Sequence, residues 1–157
     1  MIKRDEEDVE LIKSLLDLAD LLNESNNWLK HSYDLCKKIG IKNKYSQEEF
    51  DAFETLTSRF SRTSDMILQK VLRLIDKIEL IEEGTLIDIM NRAEKRGILP
   101  DATKAKDIRK LRNKIAHQYS NEDIGSIFKD VIVLTPEIII IIENINKYCQ
   151  QFIGNNK

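Results

Sequence analysis

Apolar residues recur three and four positions apart over nearly the whole chain, a spacing that lines them up on one face of a helix. The first such stretch runs from about Asp5 to Gly40, where the glycine is a plausible C-terminal cap. The polar run at residues 23–27 interrupts it, so the pattern is compatible with one long helix or with two. Gln47 then opens a heptad-like seam that predicts one long helix ending at residues 82–84, with seam positions Phe50, Phe53, Thr57, Phe60, Ser64, Ile67, Val71, Leu74 and Ile78.

Two shorter helices follow in the middle of the chain. Thr85 and Asp88 have the spacing of a capping box, which predicts a helix that runs to Gly97. A second helix is predicted from about Thr103 to Tyr119, with an apolar face formed by Ala105, Ile108, Leu111 and Ile115.

The last part of the chain predicts two more helices. Ser120 and Asp123 would cap a short one that ends near Val131, and Thr135 before Pro136 has the pattern of a helix start. No segment alternates apolar and polar residues between hairpin turns. The predicted fold class is therefore all-α, an antiparallel bundle of five to seven helices in a single domain over residues 1–157.

Composition adds few constraints. The chain carries 33% charged residues and a formal net charge of −2, so overall charge does not indicate a nucleic-acid partner. Cys36 and Cys149 lack metal-ligand spacing and are expected to be reduced thiols, with the cytoplasm as the default location. The apolar run from Ile138 to Ile142 is far shorter than the ~20 residues that span a bilayer. Neither a metal site nor a cofactor is expected.

Charge is distributed unevenly along the sequence. From Arg92 to Lys114 there are nine Lys or Arg residues against three acids. Such a surface supplies sequence-independent affinity for phosphate, although a solvated helical face would carry the same residues.

The segment from Leu111 to Tyr119 places polar groups on sides of its predicted helix where apolar residues would be expected. At about 100° per residue, Asn113 and His117 lie one turn apart, whereas Arg112 and His117 are about 140° apart. If Arg112 and His117 act together, the arginine must reach around the helix, or a symmetry-related chain must complete the site.

This segment resembles the R-x-x-x-x-H-x-Y motif of HEPN toxins, specifically the HepT-like group that is paired with a minimal nucleotidyltransferase antitoxin. Here the match begins at Arg112 and Asn113 and ends at His117, Gln118 and Tyr119. The motif lies late in an all-helical chain after a long helix, as the resemblance requires. The first forty residues contribute least to it.

The resemblance implies a HEPN-like fold and a metal-independent endoribonuclease toxin of a type VII-like toxin–antitoxin pair. His117 would act as general acid or base, Arg112 would neutralise the phosphate, and Asn113 would support them. Arg109, Lys110 and Lys114 are candidate contacts to RNA, either tRNA or mRNA. In this family Tyr119 is the residue to which the antitoxin transfers AMP, which would block the cleft with a bulky anion.

A homodimer is also expected, because two motifs meet at a cleft in this family. The motif face and the long seam offer more surface than one domain needs to bury. The alternative function is a non-catalytic helical subunit that binds a nucleotidyltransferase and its nucleotide substrate. A plain helical adaptor is a third reading, and His31 is expected to be structural or exposed to solvent.

Overall fold

The computed structural model describes residues 6–81, 84–117 and 121–153, and the regular structure in these ranges is helical throughout. The elements are α1 (Glu6–Ile39), α2 (Gln47–Asp65), a π-helical segment (Met66–Val71), α3 (Leu72–Ile78), α4 (Leu86–Lys95), α5 (Ala102–Ala116) and α6 (Asn121–Ile153). Because α2, the π-helical segment and α3 follow without a break, we call them together the α2–α3 rod. The prediction of an all-α helical bundle is confirmed.

Helix α1 is one continuous helix, and two residues of its polar run pair with neighbouring helices. Asn23 exchanges side-chain hydrogen bonds of 2.8 and 3.1 Å with Asn146 on α6. Ser25 forms a hydroxyl hydrogen bond of 2.7 Å with Thr63 on α2. These polar residues therefore face neighbouring helices, where they pair with other polar groups. The predicted glycine cap is also confirmed, since Gly40 has φ +80° and its N–H donates to the Cys36 carbonyl.

Contacts along α1 and α2 show that these helices run in opposite directions. Ser25 meets Thr63, whereas Ser32, further along α1, accepts a hydrogen bond of 2.6 Å from Arg59, which precedes Thr63 on α2. The prediction of an antiparallel arrangement is correct for this pair.

Helix α6 runs parallel to the α2–α3 rod. Near its start, the Phe128 ring lies 4.8 Å from that of Phe53 on α2, and near its end the Tyr148 hydroxyl donates to Glu79 just after α3, at 3.2 Å. The antiparallel prediction therefore does not extend to this pair, because the long α3–α4–α5 connection returns the chain before α6 begins.

The prediction of two separate helices at the end of the chain is wrong, because α6 continues through Pro136. Thr135 is fully buried inside the helix, and its hydroxyl donates to the Val131 carbonyl at 2.6 Å, so it is not a cap. Proline removes one helical hydrogen bond. Apolar residues on both sides of Pro136 are buried in the core, and this burial favours a single helix. The buried side chains are Ile127, Phe128, Val131, Leu134, Ile138, Ile141, Ile142 and Ile145. The proposed cap at Ser120 lies outside the described residues.

The capping box predicted before α4 is present. The Thr85 hydroxyl accepts from the Asp88 N–H, and the Asp88 carboxylate accepts from the Thr85 N–H at 2.8 Å. These hydrogen bonds hold the pKa of Asp88 below its usual value.

Helix α4 is joined to the α2–α3 rod by a buried ion cluster. The side chain of Asp76 on α3 is 4% exposed and accepts from Arg92 at 2.8 Å and from Arg96 at 2.7 Å. Arg96 also pairs with Glu79. The hydrogen bond to Asp76 is the main reason that the pKa of Arg92 is raised. The Asp76 carboxylate is therefore neutralised by two arginines. Removing it would leave both guanidinium groups largely buried without this partner.

We predict that Asp76→Ala lowers the free energy of unfolding by about 3 kcal/mol, since it breaks a buried ion cluster from the acidic side. Urea unfolding followed by circular dichroism measures the change. Glu79→Gln is the matched control, because Glu79 is far more exposed and its loss should cost less than about 1 kcal/mol. Equal losses in the two variants would contradict the central role of Asp76.

Both thiols are free and buried, as expected for reduced cysteines. Burial raises the pKa of Cys36 to about 11 and that of Cys149 to about 11. Only the thiolate reacts with disulfide reagents, and its fraction at pH 8 is correspondingly small.

We therefore predict that neither cysteine reacts with an aromatic disulfide reagent at pH 8 in the native protein, and that both react in denaturant. Because the pKa values are raised, native reactivity should increase only as the pH approaches 11. Rapid labelling of one thiol at pH 8 would show that its helix opens locally.

Candidate functional site

Helix α5 carries the candidate site, and its apolar face fixes its orientation. Asp101 caps its start by accepting from the Thr103 N–H at 2.8 Å. Ala105, Ile108 and Leu111 are buried against the core, as the sequence predicted. The polar groups that follow Leu111 are therefore presented at the edge of the bundle.

Helix α5 ends at Ala116, earlier than predicted. His117 caps the helix with extended backbone angles (φ −89°, ψ 109°), and its N–H donates to the Asn113 carbonyl at 3.1 Å. The side chains of Asn113 and His117 are exposed. The chain leaves the helix at His117. The separation of about 140° that an ideal helix would give Arg112 and His117 therefore does not apply. Tyr119 lies outside the described residues.

Arg112 forms a two-point ion pair with Asp65. Its Nε donates to Oδ1 at 2.7 Å and its Nη2 donates to Oδ2 at 2.8 Å. About one third of each side chain remains exposed (33% for Arg112 and 38% for Asp65). Hydrogen bonding to Asp65 raises the pKa of Arg112 above its usual value. The guanidinium is therefore held in one plane, with two of its five N–H groups on the carboxylate.

Asp65 is a site residue that the sequence analysis missed. It is the last residue of α2, immediately before the π-helical segment, in which the Leu72 N–H donates to the Ile67 carbonyl five residues earlier. Its signal in the sequence is weak, since it is an acid next to Ser64, one of the two polar positions of the seam. In the structure Ser64 is buried and its hydroxyl donates to the Phe60 carbonyl, whereas Asp65 turns to Arg112.

A cavity of about 400 Å³ lies beside this ion pair, between α2, α5 and α6. Its walls are mainly apolar, and its polar lining consists of Arg112 and residues of α2, namely Glu54, Thr57, Ser58 and Ser61. Ser61 has a buried hydroxyl with no hydrogen-bond partner among the described residues. Ala116 lines the cavity, and His117 follows it outside. The structure thus brings Arg112 to the cavity but does not bring His117 into it.

The basic residues around α5 fall into two groups. Arg109, Lys110 and Lys114 are exposed. Lys110 and Lys114 line a second cleft of about 360 Å³ between α5 and α6, which also contains Asp107 and Asp130.

The other group of cations is already paired within the chain. Arg92 and Arg96 hold Asp76, and Arg112 holds Asp65. Part of the local positive charge is therefore used in ion pairs between the α2–α3 rod and helices α4 and α5.

No family model, curated protein or solved structure matches this chain. The resemblance to HEPN toxins thus stays a prediction that depends on residues 112–119. Among the described residues, no three His, Cys, Asp or Glu side chains are grouped so that they could hold a metal ion. Within the same ranges, no helix is both long and apolar enough to cross a bilayer.

We predict that the Arg112–Asp65 pair contributes little to stability, because both side chains are partly hydrated. A double-mutant cycle with Arg112→Ala and Asp65→Ala should give a coupling energy of about 0.5–1 kcal/mol. Both variants should unfold cooperatively in urea. A coupling above about 3 kcal/mol would assign the pair a mainly structural role.

Proposed function

We propose that this chain is a metal-independent endoribonuclease toxin that uses Arg112 and His117. The observation that carries the proposal is the arrangement at the end of α5. An arginine held in a fixed orientation beside a cleft is followed, five residues later, by an exposed histidine on extended backbone. That histidine can approach a substrate without distorting the helix.

The chemistry needs one proton acceptor and one group that stabilises negative charge. A neutral His117 would take the proton of a ribose 2′-hydroxyl, which attacks the adjacent phosphorus. The bond to the 5′-oxygen then breaks, and that oxygen takes up a proton, leaving a 2′,3′-cyclic phosphate and a 5′-hydroxyl. Arg112 would stabilise the charge that builds on the phosphate oxygens, and Asn113 would orient the phosphate or His117.

Substrate and partners follow from the same proposal. Arg109, Lys110 and Lys114 would contact the backbone of an RNA, either tRNA or mRNA, in the cytoplasm. Two chains would form a homodimer whose motifs face one cleft. A nucleotidyltransferase antitoxin would silence the toxin by transferring AMP to Tyr119.

A second candidate is a non-catalytic subunit that binds a nucleotidyltransferase and its nucleotide. The two-point pair between Arg112 and Asp65 favours this reading, because the guanidinium already has an anionic partner. In that case the pair would shape a docking surface, and His117 would not be required for any reaction.

We predict that the purified protein cleaves RNA in EDTA and that His117→Ala lowers the rate by about 100-fold or more, since it removes the general acid or base. Arg112→Ala should lower it by a similar factor through loss of charge stabilisation. Gel analysis of total RNA, with chemical identification of the new 3′ ends as 2′,3′-cyclic phosphates, measures both effects.

His31→Ala is the matched control, because His31 is the other histidine and is exposed on α1. It should cleave as the wild type does. Mass spectrometry must first show that Tyr119 carries no AMP. If such unmodified protein leaves RNA intact, the second candidate is favoured, and binding to a nucleotidyltransferase is the measurement to make next.

A further inference from the structure

Helix α1 carries a stripe of large apolar side chains that face solvent. Leu21, Trp28 and Leu35 follow one another at intervals of seven residues and are 55, 60 and 46% exposed. Residues spaced by seven lie on one side of a helix, two turns apart. These three residues, which we call the α1 stripe, extend over about 21 Å of the helix surface. A stripe of this kind indicates a surface that packs against another helix.

The central residue of the stripe is held in place by its neighbours. The guanidinium of Arg59 lies 5.1 Å from the centre of the Trp28 ring. The same arginine donates to the Trp28 carbonyl at 3.1 Å and to the Ser32 hydroxyl at 2.6 Å. A large aromatic residue that is already oriented loses little side-chain entropy on binding, which suits an anchor at the centre of an interface.

Charges beside the stripe change sign along the helix. Asp17, Glu24, His31 and Lys38 also follow one another at intervals of seven residues, and all four are exposed. This column carries two acids, Asp17 and Glu24, in the first half of α1, and His31 and Lys38 in the second half. The same column on an antiparallel helix would therefore place its basic residues opposite these acids.

We propose that the α1 stripe binds the α1 stripe of a second copy of this chain, with the two helices antiparallel about a two-fold axis near Trp28. Leu21 of one chain then packs against Leu35 of the other. In the same alignment Asp17 faces Lys38, and Glu24 faces His31. A two-fold axis requires this self-complementarity, because the same surface is used by both subunits.

The charge pattern selects a second copy in this orientation. A parallel pairing would instead turn this column towards the opposite flank of the partner's stripe, so its acidic and basic residues would not meet. The interface uses none of Arg112, Asn113 and His117. It is therefore independent of the proposed nuclease activity, and either proposal can fail alone.

Disulfide trapping tests both the contact and its direction. Leu21→Cys and Leu35→Cys are purified separately, then oxidised alone and as a mixture, and analysed on non-reducing gels. We expect a covalent dimer mainly in the mixture, since two copies of position 21 lie about 21 Å apart in the antiparallel pair. The native thiols are buried, so wild-type protein should stay uncrosslinked.

Two results would overturn the proposal. Efficient crosslinking of Leu21→Cys alone would show a parallel pair, and no crosslinking in the mixture would show that the stripes do not meet. Lys13→Cys mixed with Leu35→Cys is the control for random collision, because position 13 is exposed but lies outside the contact with position 35.

Sedimentation of variants that keep the fold gives an independent measure. Trp28→Glu should weaken self-association by 100-fold or more, as expected for a central anchor. Asp17→Lys should weaken it by about tenfold, since two like-charge contacts replace two favourable ones, and adding Lys38→Asp to that variant should restore it. An association that is unchanged by Trp28→Glu, or a wild-type chain that is monomeric at high concentration, would contradict the proposal.

Discussion

The α2–α3 rod is packed against every other helix described here, with α1, α5 and α6 on α2 and with α4 on α3. On a helix that is covered on several sides, most buried polar side chains need hydrogen-bond partners. Thr57 and Ser64 satisfy their hydroxyls within the rod, by donating to carbonyls four residues earlier. The buried Asp76 is paired with two arginines of α4, and the partly exposed Asp65 is paired with Arg112 of α5. The placement of α4 thus depends on a carboxylate of the rod, whereas α5 is positioned mainly by its apolar face. The basic segment of the sequence is in part the counterpart of the two acids.

Local patterns predicted the features that depend on neighbouring residues. The capping box at Thr85 and the glycine cap at Gly40 are present as expected, because each needs only a few consecutive residues. The buried face of α5 follows from periodicity for the same reason. Features that depend on residues far apart in the chain could not be predicted from local patterns. Thr135 before Pro136 has the pattern of a helix start, but burial of the apolar residues on both sides keeps α6 as one helix. The polar run in α1 is compatible with one helix or two by sequence alone, because its partners on α2 and α6 are far away in the chain.

The candidate site shows the same division. Spacing in the sequence selected Arg112 and His117, and periodicity placed Arg112 beside the apolar face of α5. Sequence alone could not pair Arg112 with Asp65, which is 47 residues away. It also could not show that α5 ends before His117, since the residues up to Tyr119 are compatible with a helix. Both facts bear on the proposed chemistry, because the ion pair orients the guanidinium and the end of the helix leaves the histidine on extended backbone.

The ion pair is compatible with a catalytic arginine for an energetic reason. A pair with about a third of each side chain exposed is worth at most about 1 kcal/mol, so a phosphate can compete for the guanidinium at little cost. A nuclease site shared by two chains would, however, require a two-fold axis near α5. The α1 stripe would require a different two-fold axis, near Trp28. Two distinct two-fold interfaces on one chain generate a tetramer if their axes intersect at right angles and an extended assembly in most other arrangements. The number of chains in the assembly therefore reports on how the two surfaces are related in space.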